Sequence, residues 1–495
     1  MSALRLGLSC GHRAARSCCF LAAPRISQIS RRLFSAQPGL RITSSTSKQT
    51  RVPQDVKSSS SPEIISHDVQ AIKINGVSYP PLFLRDSCTC HRCVDPSTKQ
   101  KNFQTSDIPP NIKATTTTTT KGENGDLTIS WEGDIPGYGP DHISSFSKKF
   151  FETHSSLEAY HSDRHNDVKP IRWDSKTIAQ KLQYVTFDDY INSEEGLFRA
   201  LIMLRDYGLL ILRDVPESET SVVDIAKRIG NLRDTFYGVT WDVKSVPQPK
   251  NVAYTSQYLG LHMDLLYMAN PPGFQFLHCL RNTCSGGSSI FSDAFHAARQ
   301  LDKDNYIQLS TKKVGYHYRN AGEHYHYKHP VISKHSEKGG NASSPNDNSI
   351  QYINYSPPFQ ATFDKPFGSL PVAKALRQFA SRVEAPENMY EYRLQEGECV
   401  IFNNRRVLHG RKEFDTSAGE RWFKGAYIDT DVFRSRYRVL AEKYQNKDQA
   451  FLRTHARHIC WDIKNPETGR LESDPHKVWE RSRDLPQTEA YANII

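Results

Sequence analysis

The sequence predicts a mainly β protein with helical insertions, in which a small β module precedes a larger β-rich domain. Three observations carry that reading. Strand-length apolar runs recur between Gly- and Pro-bearing turns at Phe274 to Leu280, Ser289 to Ser292, Tyr352 to Tyr355, Glu398 to Phe402 and Trp422 to Tyr427. A second group lies nearer the N-terminus: Ala71 to Ile74, an Asn75-Gly76 turn, Tyr79 to Leu84, and Leu127 to Trp131. Helical patterning is confined to inserts such as Glu194 to Tyr207 and Val222 to Ile229, the latter stopped by Gly230.

These signals divide the chain. Residues 63–152 form the small module, in which Thr115 to Thr120 reads as a low-complexity loop insertion. A polar, His- and Asp-rich stretch over 153–178 reads as a linker into the larger domain, residues 180–440. Gly208 to Leu212 is a continuous apolar run that suits a buried strand. Residues 441–495 are a charged extension, with Lys443 to Asp448 and Lys464 to Arg483 read as solvated helices and loops.

Charge excludes one class of partner. The formal net charge is +10, but residues 1–54 carry eight Arg, Lys48 and no acid, so the remaining chain is nearly neutral and is not expected to bind nucleic acid. An Arg-rich, Ser-rich, acid-free N-terminus is the composition of an organelle transit peptide. Residues 1–36 are expected to be a mitochondrial transit peptide directing the protein to the matrix, with Arg31-Arg-Leu-Phe-Ser35 as a processing site and 37–62 as a polar linker. No apolar run approaches the roughly 18 residues of a spanning helix, so no membrane partner is expected.

Of ten cysteines, Cys10, Cys18 and Cys19 fall in the presumed transit segment, and Cys279, Cys284, Cys399 and Cys460 are scattered. The other three form Cys88-Thr-Cys90-His-Arg-Cys93. Three thiolates at this spacing can wrap one Zn2+ and leave a fourth position for another ligand, and a closed site of that kind is structural. His91 within the cluster is one candidate for the fourth position.

A second constellation carries redox chemistry. His262-Met-Asp264 sets two metal-capable side chains two residues apart, which on a strand or strand end puts both on one side. His409, emerging where a strand ends, supplies a third. Two His and one carboxylate leave coordination positions open, as Fe(II) oxygenases need for a co-substrate and O2. Arg421, twelve residues beyond His409, is a bidentate fork suited to the distal carboxylate of 2-oxoglutarate.

Beyond these residues the sequence resembles the γ-butyrobetaine dioxygenase and trimethyllysine dioxygenase family over most of residues 65–440. The resemblance is carried by Leu84-Arg-Asp-Ser-Cys-Thr-Cys-His-Arg-Cys93, Phe236-Tyr-Gly-Val-Thr-Trp241, Asn251-Val-Ala-Tyr-Thr255, His262-Met-Asp264, Pro271-Pro-Gly273, Leu277-His-Cys279, His409-Gly-Arg411 and Gly425-Ala-Tyr427. It implies a double-stranded β-helix (jelly roll) catalytic domain with a small N-terminal zinc-binding domain. Iron would be ligated by His262, Asp264 and His409, and 2-oxoglutarate bound by Arg421 with the Ser289 hydroxyl. Zinc would be held by Cys88, Cys90, Cys93 and His142, the last in His142-Ile-Ser-Ser-Phe146.

The resemblance also implies a cage of Tyr237, Trp241, Tyr254 and Tyr427 around a trimethylammonium group, whose recognition must come from ring faces because it has no hydrogen to donate. Asn251 and Asn354 would serve the substrate carboxylate. The implied reaction is hydroxylation of 4-trimethylaminobutanoate to carnitine, with succinate and CO2 as co-products. Trimethyllysine or another trimethylammonium compound is the alternative substrate. The complete Cys cluster favours the first and the mitochondrial address the second. Ascorbate as accessory reductant and a homodimer are the further companions such a family admits.

Overall fold

The computed structural model describes residues 71–119, 126–164, 170–244, 255–335, 350–364, 366–417 and 419–444. Two sheets dominate. The larger has six strands in the order Tyr184–Thr186, Leu209–Arg213, Cys399–Asn403, Phe274–Asn282, Arg421–Ile428, Thr240–Lys244. All neighbours are antiparallel except the first pair. The smaller has four antiparallel strands in the order Met389–Tyr392, Ser289–Asp293, Val407–Arg411, Leu259–His262. From Leu259–His262 onward the strands of these two sheets alternate between them, except that Ser289–Asp293 is followed by Met389–Tyr392 in the same smaller sheet; this is the jelly-roll arrangement.

Strand alternation decides what each face meets. In Phe274–Asn282, Phe274, Phe276 and Cys279 enter a core to which three helices of nine or more residues contribute, while Gln275 and Leu277 line the cleft between the sheets. Those helices are Glu194–Asp206, Ser221–Ile229 and Thr430–Tyr444. The first buries Leu197, Phe198, Leu201 and Leu204 at helical spacing, and Ser193 caps it by accepting a hydrogen bond from the Gly196 amide at 3.0 Å. Leu440, Ala441 and Tyr444 also enter this core, so the last helix stays packed beyond residue 440. Beyond Tyr444, the expected solvated segments and Cys460 lie outside the described residues, as do residues 1–70 with the transit peptide and its processing site.

Several local expectations differ from the structure. The Asn75-Gly76 turn is present, with both residues at positive φ, but only Val77–Tyr79 continues as strand. Pro80 and Pro81 then stop the ladder, and Pro81 opens the helix Pro81–Asp86, where a proline's fixed φ is favourable. The threonine run is no loop: Lys113–Thr119 pairs with Leu127–Glu132, as a β-branched stretch favours. The stretch read as a linker contains the helices Leu157–Arg164 and Ser175–Lys181, and Trp173 between them is buried. Tyr352 to Tyr355 begins as strand earlier, at Ile350, and ends at Ile353. No described helix is long and apolar enough to cross a membrane.

The N-terminal module is a three-stranded antiparallel sheet, Lys113–Thr119, Leu127–Glu132 and Ile143–Phe146, over a separate small core containing Leu84, Phe103, Ile129 and Phe151. Cys88 and Cys93 belong to that core.

Candidate active site

The cleft between the two sheets holds the first predicted constellation. His262 ends its strand and is paired in register with His409, whose strand runs alongside. His409 therefore sits within a strand, Val407–Arg411, rather than at a strand end. Asp264 lies past its strand, in a turn where Leu265 adopts φ +61°, so the turn rather than strand alternation brings the carboxylate back beside the imidazoles. Asp264 Oδ1 is 3.3 Å from His262 Nε2, and Oδ2 is 3.9 Å from His409 Nε2. Three ligand atoms within 4.8 Å of one another can grip one ion.

The surroundings orient these groups. His262 Nδ1 lies 2.9 Å from the Gly260 carbonyl, a contact that orients the ring with Nε2 toward Asp264. Burial, reinforced by His262, pushes the His409 imidazole down to about 3, so its nitrogen is neutral and free to ligate at neutral pH. Burial alone would raise the Asp264 carboxyl. The hydrogen bond with His262, the two imidazoles and the Tyr427 hydroxyl outweigh it and hold the group well below the usual carboxylate range. Asn404, fully buried, accepts from the Asp264 amide at 2.8 Å and donates to the Asp264 and Pro272 carbonyls at 3.1 and 3.2 Å. It pins the turn. Sequence reading missed Asn404, whose only signal is a polar pair, Asn403-Asn404, breaking an apolar strand.

The same cleft is lined by Arg421, the first residue of its strand, buried and without an acidic partner among the described residues. Its guanidinium lies over the Phe423 ring at 4.0 Å, and its Nε has no hydrogen-bond partner. Burial first and the Arg411 charge second lower its pKa from the ordinary value to about 9, so an arriving carboxylate would relieve an uncompensated buried cation. Gly287, at φ +72°, permits this placement: a Cβ there would stand 3.3 Å from Arg421 Cδ. Ser289, two residues on, begins its strand and lines the cleft with Arg421 and Arg411.

An aromatic wall lines the same cleft. Tyr237, Trp241 and Tyr427 line the cleft together with Tyr267 and Phe359, which sequence reading did not single out. Trp241 stacks on Tyr427 with centroids 4.1 Å apart at 26°. Tyr254 and Asn251 lie outside the described residues. Asn354 does not serve the cleft. It is fully buried elsewhere, donating to the Pro330 carbonyl and Ser333 Oγ and accepting from Arg405, so its hydrogen-bonding capacity is spent on the fold.

In the N-terminal module, His142 Nε2 lies 3.6, 3.5 and 3.2 Å from the sulfurs of Cys88, Cys90 and Cys93. Tetrahedral zinc with its usual bond lengths spaces a ring nitrogen and a thiolate by about 3.5 Å. His91, the rival, is exposed.

Two imidazoles and a carboxylate in the cleft of a jelly roll, with a buried guanidinium lining the same cleft, form the arrangement of the non-haem Fe(II) oxygenase class. Comparison with known proteins agrees. Residues 168–427 match the family described as taurine catabolism dioxygenase TauD, TfdA family. The chain belongs to this family, and it is a 2-oxoglutarate-dependent dioxygenase. It is 41% identical to dioxygenase str8 of Strobilurus tenacellus, over 73% of this chain and 85% of that protein. It is 31% identical to the gamma-butyrobetaine dioxygenase of Pseudomonas sp. (strain AK-1), over 72% and 89%, and 26% identical to the trimethyllysine dioxygenase of Meyerozyma guilliermondii, over 76% and 94%.

Proposed function

We propose that the protein hydroxylates 4-trimethylaminobutanoate to carnitine, converting 2-oxoglutarate to succinate and CO2. The observation that carries this reading is the composition of one cleft: a His-Asp-His triad, an unpaired buried Arg421, and a wall of Tyr237, Trp241 and Tyr427. His262, Asp264 and His409 would hold Fe(II), which when bound supplies the O2-dependent oxidation that side chains cannot perform. Arg421 binds the distal carboxylate of 2-oxoglutarate, with Ser289 adding a hydroxyl. The aromatic wall receives the trimethylammonium group; Tyr254 and Asn251, assigned to the same substrate by resemblance, lie outside the described residues.

The charge of the cleft supports a quaternary ammonium over a primary one. Asp264 is the only acid among the described residues that line it, and its oxygens are engaged by His262 and Tyr427. A primary ammonium would lose water there without meeting a free carboxylate, whereas a trimethylated one needs only ring faces. Trimethyllysine is the second reading, because it presents the same cation and because the Arg-rich segment 1–36 supports a mitochondrial matrix address.

In the N-terminal module, Cys88, Cys90, Cys93 and His142 hold a structural Zn2+. The supporting observations are their mutual spacing and the burial of Cys88, Cys93 and His142 within the module.

The test is succinate release by the purified full chain with Fe(II), 2-oxoglutarate and O2, comparing 4-trimethylaminobutanoate, trimethyllysine and 4-aminobutanoate. Stimulation by the first is expected. A clear preference for trimethyllysine would reassign the substrate, and equal stimulation by 4-aminobutanoate would remove the cage.

A further inference from the structure

We infer that Tyr427 positions the metal-binding carboxylate as well as walling the substrate pocket; this rests on the reading of His262, Asp264 and His409 as a metal centre. The Tyr427 hydroxyl donates to Asp264 Oδ2 at 2.6 Å. Oδ1, the oxygen left without that bond, is the one 3.3 Å from His262 Nε2. A hydrogen bond on one oxygen leaves the other to meet an ion singly, and so preserves a vertex that a two-oxygen grip would consume.

The phenol is rigidly held. Tyr427 is 2% exposed, its strand is paired on one side to Phe274–Asn282 and on the other to Thr240–Lys244, and its ring stacks on Trp241. Asp264 has no such anchorage of its own, since it stands in a turn held at the backbone by Asn404. One residue therefore serves two sites, with its hydroxyl on the metal carboxylate and its ring in the aromatic wall. Tyr427→Phe separates the two roles.

The experiment is a titration of the metal-free, zinc-retaining full chain with Mn2+ alone, read by the electron paramagnetic resonance of free Mn2+, a hard ion that the thiolate cluster does not compete for. Affinity for 4-trimethylaminobutanoate is measured in parallel with Mn2+ saturating and 2-oxoglutarate present. Tyr427→Phe is expected to weaken Mn2+ binding about 10- to 100-fold, the usual cost of losing a ligand's outer partner, and to leave trimethylammonium affinity within about threefold. Tyr237→Leu, which removes another ring of the wall and leaves the Tyr427–Asp264 hydrogen bond in place, is expected to do the reverse. Wild-type Mn2+ affinity in Tyr427→Phe, with only substrate binding weakened, would overturn the inference and leave Tyr427 as a wall. Equal Mn2+ binding by wild type and Asp264→Ala would instead overturn the metal centre itself.

Discussion

His142 Nδ1 lies 2.6 Å from Asp134 Oδ2, while the other oxygen of the same carboxylate accepts from Arg85 Nε at 2.5 Å. Both partners are buried, and Arg85 also reaches Cys93 Sγ at 3.3 Å. The carboxylate fixes the imidazole so that Nε2 faces the three sulfurs, and the guanidinium offsets the negative charge that three thiolates around Zn2+ would carry. Asp134→Ala is expected to lower zinc affinity about 10- to 100-fold while leaving all four ligands in place. Chelator competition with a colorimetric zinc indicator measures this, and unchanged retention would mean that Asp134 does not orient His142.

Arg421 makes the corresponding prediction for the co-substrate. A charge-assisted bidentate pair is worth roughly 1.5 to 3 kcal/mol, or about 10- to 150-fold in affinity. Arg421→Met, which keeps the stem and removes the fork, is expected to raise the KM for 2-oxoglutarate by about that factor and to leave Mn2+ affinity unchanged. Arg421→Lys should recover only part of the loss, because a point charge cannot form the fork. Equal KM values in wild type and Arg421→Met would assign the distal carboxylate to Arg411 instead.

The two clusters of metal-capable side chains were legible because their members carry chemical signatures: close Cys spacing, an H-x-D pair, and a motif for each distant partner. The long apolar strands were legible for the same reason that they are buried. What sequence did not carry was the supporting shell. Asp134, Asn404 and Tyr267 look like any polar or aromatic residue until the chain is folded, because their roles depend on contacts with residues distant in the chain. Asn354 misled in the opposite direction, since a polar residue beside a strand reads equally well as a binding group or as a buried anchor. The threonine run misled through composition: low complexity suggested a loop, while β-branching favoured the ladder that forms.

Gly425 tests the aromatic wall without touching an aromatic residue. It pairs in register with Trp241, and a Cβ on it would stand 2.4 Å from the indole Cε2, a distance that atoms do not tolerate. Gly425 therefore lets the indole lie against the strand and reach its stack with Tyr427. Gly425→Ala is expected to displace the ring and raise the KM for the trimethylammonium substrate about 5- to 30-fold, the equivalent of roughly 1 to 2 kcal/mol of cation–π contact. The KM for 2-oxoglutarate should hardly move. Parallel increases in both constants would indicate general loss of the fold instead of a displaced ring.

His278 connects the fold to acid stability. It is fully buried, and neither ring nitrogen has a hydrogen-bond partner. Burial lowers its pKa to about 4, so the folded protein keeps it neutral, whereas the unfolded chain takes up a proton near the ordinary histidine value of about 6.5. Between those values the unfolded state binds more protons, so stability is intact above about pH 6.5 and declines as pH falls toward 4. The loss approaches on the order of 3 kcal/mol at the lower end. His329, also pushed down to about 4, chiefly by burial, adds to the same decline. His278→Leu removes a titrating group and two unsatisfied nitrogens. It is expected to match or exceed wild-type stability at pH 7.5 and to unfold at clearly higher urea concentration at pH 4.5. Because any zinc held by the N-terminal module would be lost in acid from both proteins alike, the difference between their urea midpoints across this range isolates His278. A constant difference from pH 7.5 to 4.5 would show that the imidazole is not held neutral by burial.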